Sequence, residues 1–286
     1  MRNKDFLTRI FLDGADYLES QEAKNILGFL DGQTTNPTLL MKNPKLKRVL
    51  QERGKLSEQG LYDFYKETIG KIAEIVSGPI SVEVYADEKT EAEQMLIQAR
   101  KMFKWASEAY IKLPINEEGL KAATLATKEG IPVNMTLCFS QEQAAAVYVA
   151  TLGAKKPVFV SPFVGRLDDI GENGMDLVRN IIDMYKSGDS HVMVLAASIR
   201  NLEHLLFAAK IACPLATVPL RVIKEWADRR LAIPPDDFVY QPKALKPIPF
   251  KEISLNRDRG EYDIQHALTD AGIKKFCQDW NSAFSS

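Results

Sequence analysis

Short apolar runs rich in strand-forming residues recur along this chain, and between them the apolar spacing changes from alternation to the helical repeat. The runs are RIFLDG (9–14), GFLDGQ (28–33), ISVEVY (80–85), AYIKLP (109–114), PVNMTL (132–137), PVFVSP (157–162), HVMVLAAS (191–198) and LATVPL (215–220). Residues 61–76 set Leu61, Phe64, Thr68, Ile72 and Ile75 on one face, which predicts a helix. Residues 140–152 open on Ser140 and Gln143, a capping-box pair, and stop at Gly153, a C-cap. Residues 117–129 and 200–212 read as further helices, the first closed by Gly130. Eight strands with helices between them imply parallel pairing through crossovers. The expected fold is therefore α/β, a (β/α)8 TIM barrel, which takes about 250 residues. A doubly wound open sheet is the alternative.

The alternation breaks after residue 230. Residues 231–262 carry Pro234, Pro235, Pro242, Pro247 and Pro249 amid mixed charge, which predicts an extended connector rather than a ninth unit. Beyond it Thr269 stands where a last helix would be capped, and Ile273, Phe276, Trp280 and Phe284 follow along one side. The division expected is a catalytic barrel over 1–230 and a C-terminal connector with a terminal helix over 231–286. The apolar stripe of that helix is expected on the barrel or on a neighbouring subunit, with a subunit contact favoured.

Composition adds exclusions. Apolar residues make up 45% of the chain and charged ones 26%, the balance of a globular protein with a sizeable core. A net charge of −1 argues against nucleic acid or an anionic membrane as partner. No apolar stretch reaches membrane-spanning length, and residues 1–16 are charged throughout, unlike a secretory leader. The three cysteines, Cys138, Cys213 and Cys277, are odd in number and far apart, so reduced thiols and a cytoplasmic location are expected.

Barrel enzymes place their chemistry at the C-terminal ends of the strands. Those ends carry Asp13 on the first strand, Thr34, Thr35 and Asn36 after the second, Glu83 on the third and Lys112 on the fourth. Thr136 follows on the fifth, Ser161, Phe163 and Arg166 on the sixth, Ser198 and Arg200 on the seventh; the eighth offers only Val218 and Pro219. Singly, each has a plain structural reading: a turn at Asp13, a helix cap in TTNPT, a solvated face at Glu83, surface charge at Arg166 and Arg200, a snorkelling stem at Lys112. Together they converge on one mouth. Lys112 stands inside an apolar run, where an ammonium is costly unless paired or neutralised. The same surroundings favour the neutral amine, which attacks a carbonyl to form a Schiff base. Asp13 or Glu83 can then move protons, and the arginines and hydroxyls suit a phosphate. Of the three histidines, His191, His204 and His266, none pairs with another at metal-ligand spacing, and no glycine-rich dinucleotide or phosphate-loop motif occurs. Neither metal nor cofactor is expected.

The segments DGQTTNPTLL, SVEVYAD, AYIKLPINEEGLKA, VNMTLCFSQEQA, VSPFVGRLDDIGENG, VLAASIRN and ATVP, in this order over residues 10–220, resemble the transaldolase family in its compact class, which includes fructose-6-phosphate aldolase. The resemblance implies a metal-free class I mechanism. Lys112 matches the Schiff-base lysine and Asp13 the acid that takes the proton beside the scissile carbon–carbon bond. Glu83 and Thr136 match the pair that handles protons through a bound water. Thr34, Asn36 and Ser161 match residues on the dihydroxyacetone hydroxyls, and Arg166, Ser198 and Arg200 the sugar-phosphate clamp. Glu83 and Phe163 look like transaldolase, where the aldolase members carry glutamine and tyrosine. The implied partners are sugar phosphates: sedoheptulose 7-phosphate and fructose 6-phosphate as donors, glyceraldehyde 3-phosphate and erythrose 4-phosphate as acceptors. A homo-oligomer is implied as well. The rival readings are an aldolase on fructose 6-phosphate or another anionic sugar, and a silent barrel that only binds sugar phosphates.

Overall fold

Each of the eight apolar runs supplies one strand of a closed parallel barrel, in chain order around the ring. The computed structural model describes residues 6–242 and 244–284; the first five residues of the charged N-terminal stretch lie outside it. The first half runs β1 (Arg9–Asp13), α1 (Tyr17–Leu27), β2 (Gly32–Thr34), α2 (Pro37–Lys42), α3 (Pro44–Arg53), α4 (Glu58–Ile75), β3 (Ile80–Glu83), α5 (Ala92–Met102) and β4 (Ala109–Pro114). Then come α6 (Glu117–Lys128), β5 (Val133–Cys138), α7 (Gln141–Ala150), β6 (Val158–Pro162), α8 (Val164–Asp168) and α9 (Gly174–Tyr185). The barrel closes through β7 (Val192–Ala196), α10 (Leu202–Lys210), β8 (Leu215–Val218) and α11 (Leu220–Asp228), and α12 (Ala267–Ser282) follows the connector.

β8 pairs back onto β1 with Ile10 opposite Ala216, so the sheet has no edge and the open-sheet alternative falls. The run 28–33 was expected as strand but begins as a helix end. Gly28 adopts φ 74 and its N–H returns to the Lys24 carbonyl, closing α1; the strand starts at Gly32. Ser140 caps α7 as expected, accepting from the Gln143 N–H at 3.1 Å. The return bond of the expected capping box goes one residue further back, from the Phe139 N–H to the Gln143 side chain at 2.7 Å.

The C-terminal segment departs most from expectation. The N-cap of α12 is His266, whose Nδ1 accepts from the Leu268 N–H; Thr269 lies buried inside the first turn and donates to the Leu137 carbonyl at 3.0 Å. Ile273, Phe276 and Trp280 are buried against this chain's own barrel, and Phe284 is half-buried. α12 lies across the barrel mouth against α2 and β5, with Trp280 edge-on to Tyr62 and Tyr65 of α4. The connector reaches this position fastened along the outside: the Lys246 carbonyl accepts from the Asn173 N–H while the Lys246 N–H donates to the Gly171 carbonyl, Asn180 holds the Ile248 carbonyl, and Tyr240 stacks on Phe207.

Candidate active site

Lys112 and Glu83 face each other across neighbouring strands. Register sets Glu83 opposite Lys112, and their side chains meet at 2.8 Å, each about 5% exposed or less. A lysine so enclosed does not snorkel. It also donates to the Thr35 carbonyl at 3.1 Å. Burial raises the Glu83 carboxyl above its usual range, with the nearby Lys112 charge opposing. The carboxyl is thus a better proton holder than an ordinary glutamate, 2.8 Å from an amine.

A buried chain of hydroxyls supports this pair from behind. The Glu83 N–H donates to Tyr65 Oη at 3.1 Å, Tyr65 Oη donates to Thr35 Oγ1 at 2.5 Å, and Thr35 donates to the Ser81 carbonyl at 2.8 Å. Tyr65 comes from the buried face of α4 and was not singled out in the sequence, because at helical spacing it reads as core.

Asp13 opens the facing wall. Thr34 Oγ1 donates to its Oδ1 at 2.9 Å. Thr34 has one hydroxyl proton and gives it to Asp13, so Thr217, 2.5 Å from Thr34, must be the donor in that contact. The Asp13 carboxyl is raised by burial, with Lys112 and the Thr34 bond pulling the other way. Thr217 corrects the expectation that the eighth strand contributes only Val218 and Pro219. Alternation was the available signal, since inward positions on β8 fall on every second residue.

Asn134 was missed on β5 for a similar reason: attention fell on the strand end, and Asn134 lies two residues before Thr136. It receives Ser161 Oγ–H at 2.7 Å and donates to Ser81 at 3.0 Å. Thr136 Oγ1 is buried with no hydrogen-bond partner among the described residues. Asn36 caps α2, its Oδ1 accepting from the Leu39 N–H at 2.9 Å, so its amide nitrogen is the end left to serve a ligand.

The two arginines stand on adjacent units. Val164 and Gly165 donate backbone bonds to the Ala197 and Ser198 carbonyls, joining α8 to the loop after β7. Ser198 adopts φ 57, a left-handed turn uncommon for serine, and the chain then returns Arg200 toward the mouth. A Cβ on Gly165 would fall 2.2 Å from Arg200 Nε, so only glycine lets the arginine lie across this helix. Arg200 pairs with Asp169 at 2.8 Å, and its N–H donates to His204 Nδ1 while His204 Nε2 lies 3.1 Å from Asp168. Arg166 has no such tie. Its guanidinium lies over the rings of Phe163 and Phe276, and burial lowers its proton affinity.

These side chains border one pocket of about 330 Å³, lined by Asp13, Thr34, Asn36, Lys112, Ser161, Phe163, Arg166, Ser198, Arg200 and Thr217. Glu83 and Thr136 sit behind its wall. Lys42 and Arg221 also reach the rim, the latter donating to the Arg200 carbonyl at 2.5 Å. A larger hollow of about 850 Å³ lies between α4 and α5, away from this chemistry. Among the described residues, no three His, Cys, Asp or Glu side chains are grouped to hold a metal ion, and no helix is long and apolar enough to cross a membrane.

Comparison with known proteins follows this geometry. The family Transaldolase/Fructose-6-phosphate aldolase matches residues 10–286. A probable transaldolase of Anaeromyxobacter sp. (strain Fw109-5) is 35% identical over 272 residues, covering 95% of this chain and 97% of its own. One from Clostridioides difficile (strain 630) is 36% identical over 275 residues, covering 96% and 98%. A solved enolase of the mandelate racemase subgroup from Agrobacterium tumefaciens aligns over 77% of this chain and 56% of its own, at 15% identity and a TM-score of 0.44, too loose a likeness to bear on fold or function.

Proposed function

The chain belongs to the transaldolase/fructose-6-phosphate aldolase family, and we propose that it acts as a transaldolase, moving a dihydroxyacetone unit between sugar phosphates on Lys112. The observation that carries this reading is a buried lysine 2.8 Å from a buried glutamate, sharing a pocket with Asp13.

Lys112 attacks as the free amine, and its proton passes to Glu83, which burial has made receptive. The amine adds to the ketose carbonyl, Glu83 returns its proton to the carbinol hydroxyl, which leaves as water, and the protonated imine, an iminium, remains. Asp13 takes the proton of the hydroxyl on the carbon beyond the scissile bond. That bond breaks, the aldehyde departs, and its electron pair is held by the iminium as an enamine. An acceptor aldehyde then reverses these steps on a new partner. The Thr217–Thr34–Asp13 chain holds the Asp13 carboxyl in place for both directions. The role proposed for Thr136, whose Oγ1 is buried with no partner among the described residues, is to hold the water that enters and leaves at the imine. Asn36 and Ser161 hold the hydroxyls of the three-carbon unit, and Arg166, Ser198 and Arg200 receive the phosphate.

The donors and acceptors are those the resemblance implies, with fructose 6-phosphate and erythrose 4-phosphate the most direct probes. Purified protein should convert the two to products of transfer rapidly and release little free dihydroxyacetone from fructose 6-phosphate alone. Release as fast as transfer would make it an aldolase instead. Phe163→Tyr, which brings a hydroxyl able to orient water, should raise the hydrolysed share.

A further inference from the structure

Arg166 is fixed by no ion pair among the described residues; Glu83, Asp169 and Asp279 attract it only from farther away. Among the described residues no carboxylate stands within ion-pair distance of it, whereas Arg200 has Asp169 at 2.8 Å. A long side chain without a partner samples many rotamers, and fixing it on a ligand costs affinity. What does enclose Arg166 is aromatic. The Phe163 ring centre lies 5.1 Å from its guanidinium carbon on one side and the Phe276 ring centre 5.2 Å on another. The third wall is the backbone of α12. A Cβ on Gly272 would come within 2.7 Å of Arg166 Nη1 and 2.6 Å of Leu137 Cδ2, so a methyl group there would push the guanidinium or Leu137 aside. Phe276 is 5% exposed and lines the pocket.

We propose that Phe276, 110 residues beyond Arg166 and carried by the terminal helix, is a positioning residue for the phosphate-binding arm: with Phe163 it holds the guanidinium between two rings. Aromatic faces suit this task. They attract a cation and leave its N–H groups unused, so all of them remain for phosphate oxygens. A carboxylate in the same place would hold the arginine equally well but would occupy the fork and repel the phosphate. The terminal helix thereby becomes part of substrate recognition, although it follows a connector that belongs to no barrel unit.

The inference rests on the sugar-phosphate reading above, and its test separates the two. The quantity to measure is the ratio of kcat/KM for fructose 6-phosphate to that for unphosphorylated fructose, in the full-length protein. Phe276→Leu keeps an apolar side chain of similar bulk and removes the ring. It should lower the ratio by roughly tenfold, through KM for the phosphorylated substrate. Phe276→Tyr should restore most of it. Gly272→Ala, which pushes a methyl group against Arg166 without removing any apolar surface, should lower the ratio too, and it serves if the leucine variant does not fold. Arg166→Ala is the control. If it collapses the ratio while Phe276→Leu and Gly272→Ala leave it at the unmodified value, or lower both substrates equally, the positioning role is overturned and the clamp stands. If Arg166→Ala itself leaves the ratio unchanged, the clamp falls and this inference with it.

Discussion

Lys112 Nζ and the Glu83 carboxylate lie 2.8 Å apart with almost no solvent around them, and burial raises the Glu83 carboxyl, so Glu83 is the group beside the amine suited to hold a proton. The task proposed for Asp13 is different: it takes up a proton as the bond breaks and returns it when the acceptor adds. Asp13→Ala should therefore still be trapped by borohydride with a ketose while turnover falls by about 10²–10⁴-fold, the usual worth of a general base; near-normal turnover would contradict this. Burial raises both carboxyls, so the acid limb of kcat/KM against pH should lie above the ordinary aspartate value of 3.8. A limb at or below that value would contradict the assignment. The linkage has the matching sign: the folded chain holds these protons more tightly than the unfolded one, so this term of stability declines as pH rises from the unfolded value through the raised folded one. At this scale the sequence was most legible where a residue clashed with its surroundings. Lys112 inside AYIKLP announced itself. Thr217, Asn134 and Tyr65 did not, because a threonine in a strand, an asparagine in mid-strand and a tyrosine on a helix face all have ordinary structural uses.

Strands β4 to β7 were readable to within two residues, since fully buried parallel strands are continuous apolar runs bounded by turn residues. β2 was not, because three residues of strand follow directly on a glycine-capped helix and share its apolar run. The N-cap of α12 was misplaced for a comparable reason. Thr269 looks like a cap, but its hydroxyl is claimed by the Leu137 carbonyl and by Gln143, and His266 stacks on Phe139 and caps instead. Tertiary contacts of this kind leave no local trace in sequence. They also give α12 structural weight. Trp280 is 1% exposed and packs on Tyr65, whose hydroxyl holds the Glu83 backbone. Trp280→Ala should destabilise the protein by about 3–5 kcal/mol in urea unfolding, as for other large buried aromatics. A loss below about 1 kcal/mol, the range of well-exposed positions, would mean that the helix is only loosely docked.

For the whole molecule, the barrel gathers groups distant in sequence: Asp13 and Thr217 are joined through Thr34 across the β1–β8 closure, and α12 covers the mouth they form. Ile273, Phe276 and Trp280 of the α12 stripe are buried on their own chain. Truncation after residue 262 should consequently strip one wall from the active site and lower the thermal midpoint, whatever it does to assembly; an unchanged midpoint would contradict the docking described here. The covalent role of Lys112 is the claim on which the rest depends, and it can be read from the intact protein in one experiment. Borohydride added with fructose 6-phosphate, followed by peptide mass mapping, should show a reduced three-carbon adduct on Lys112 and on no other lysine, with activity lost in proportion. An adduct on a different lysine, or full activity after reduction, would contradict it.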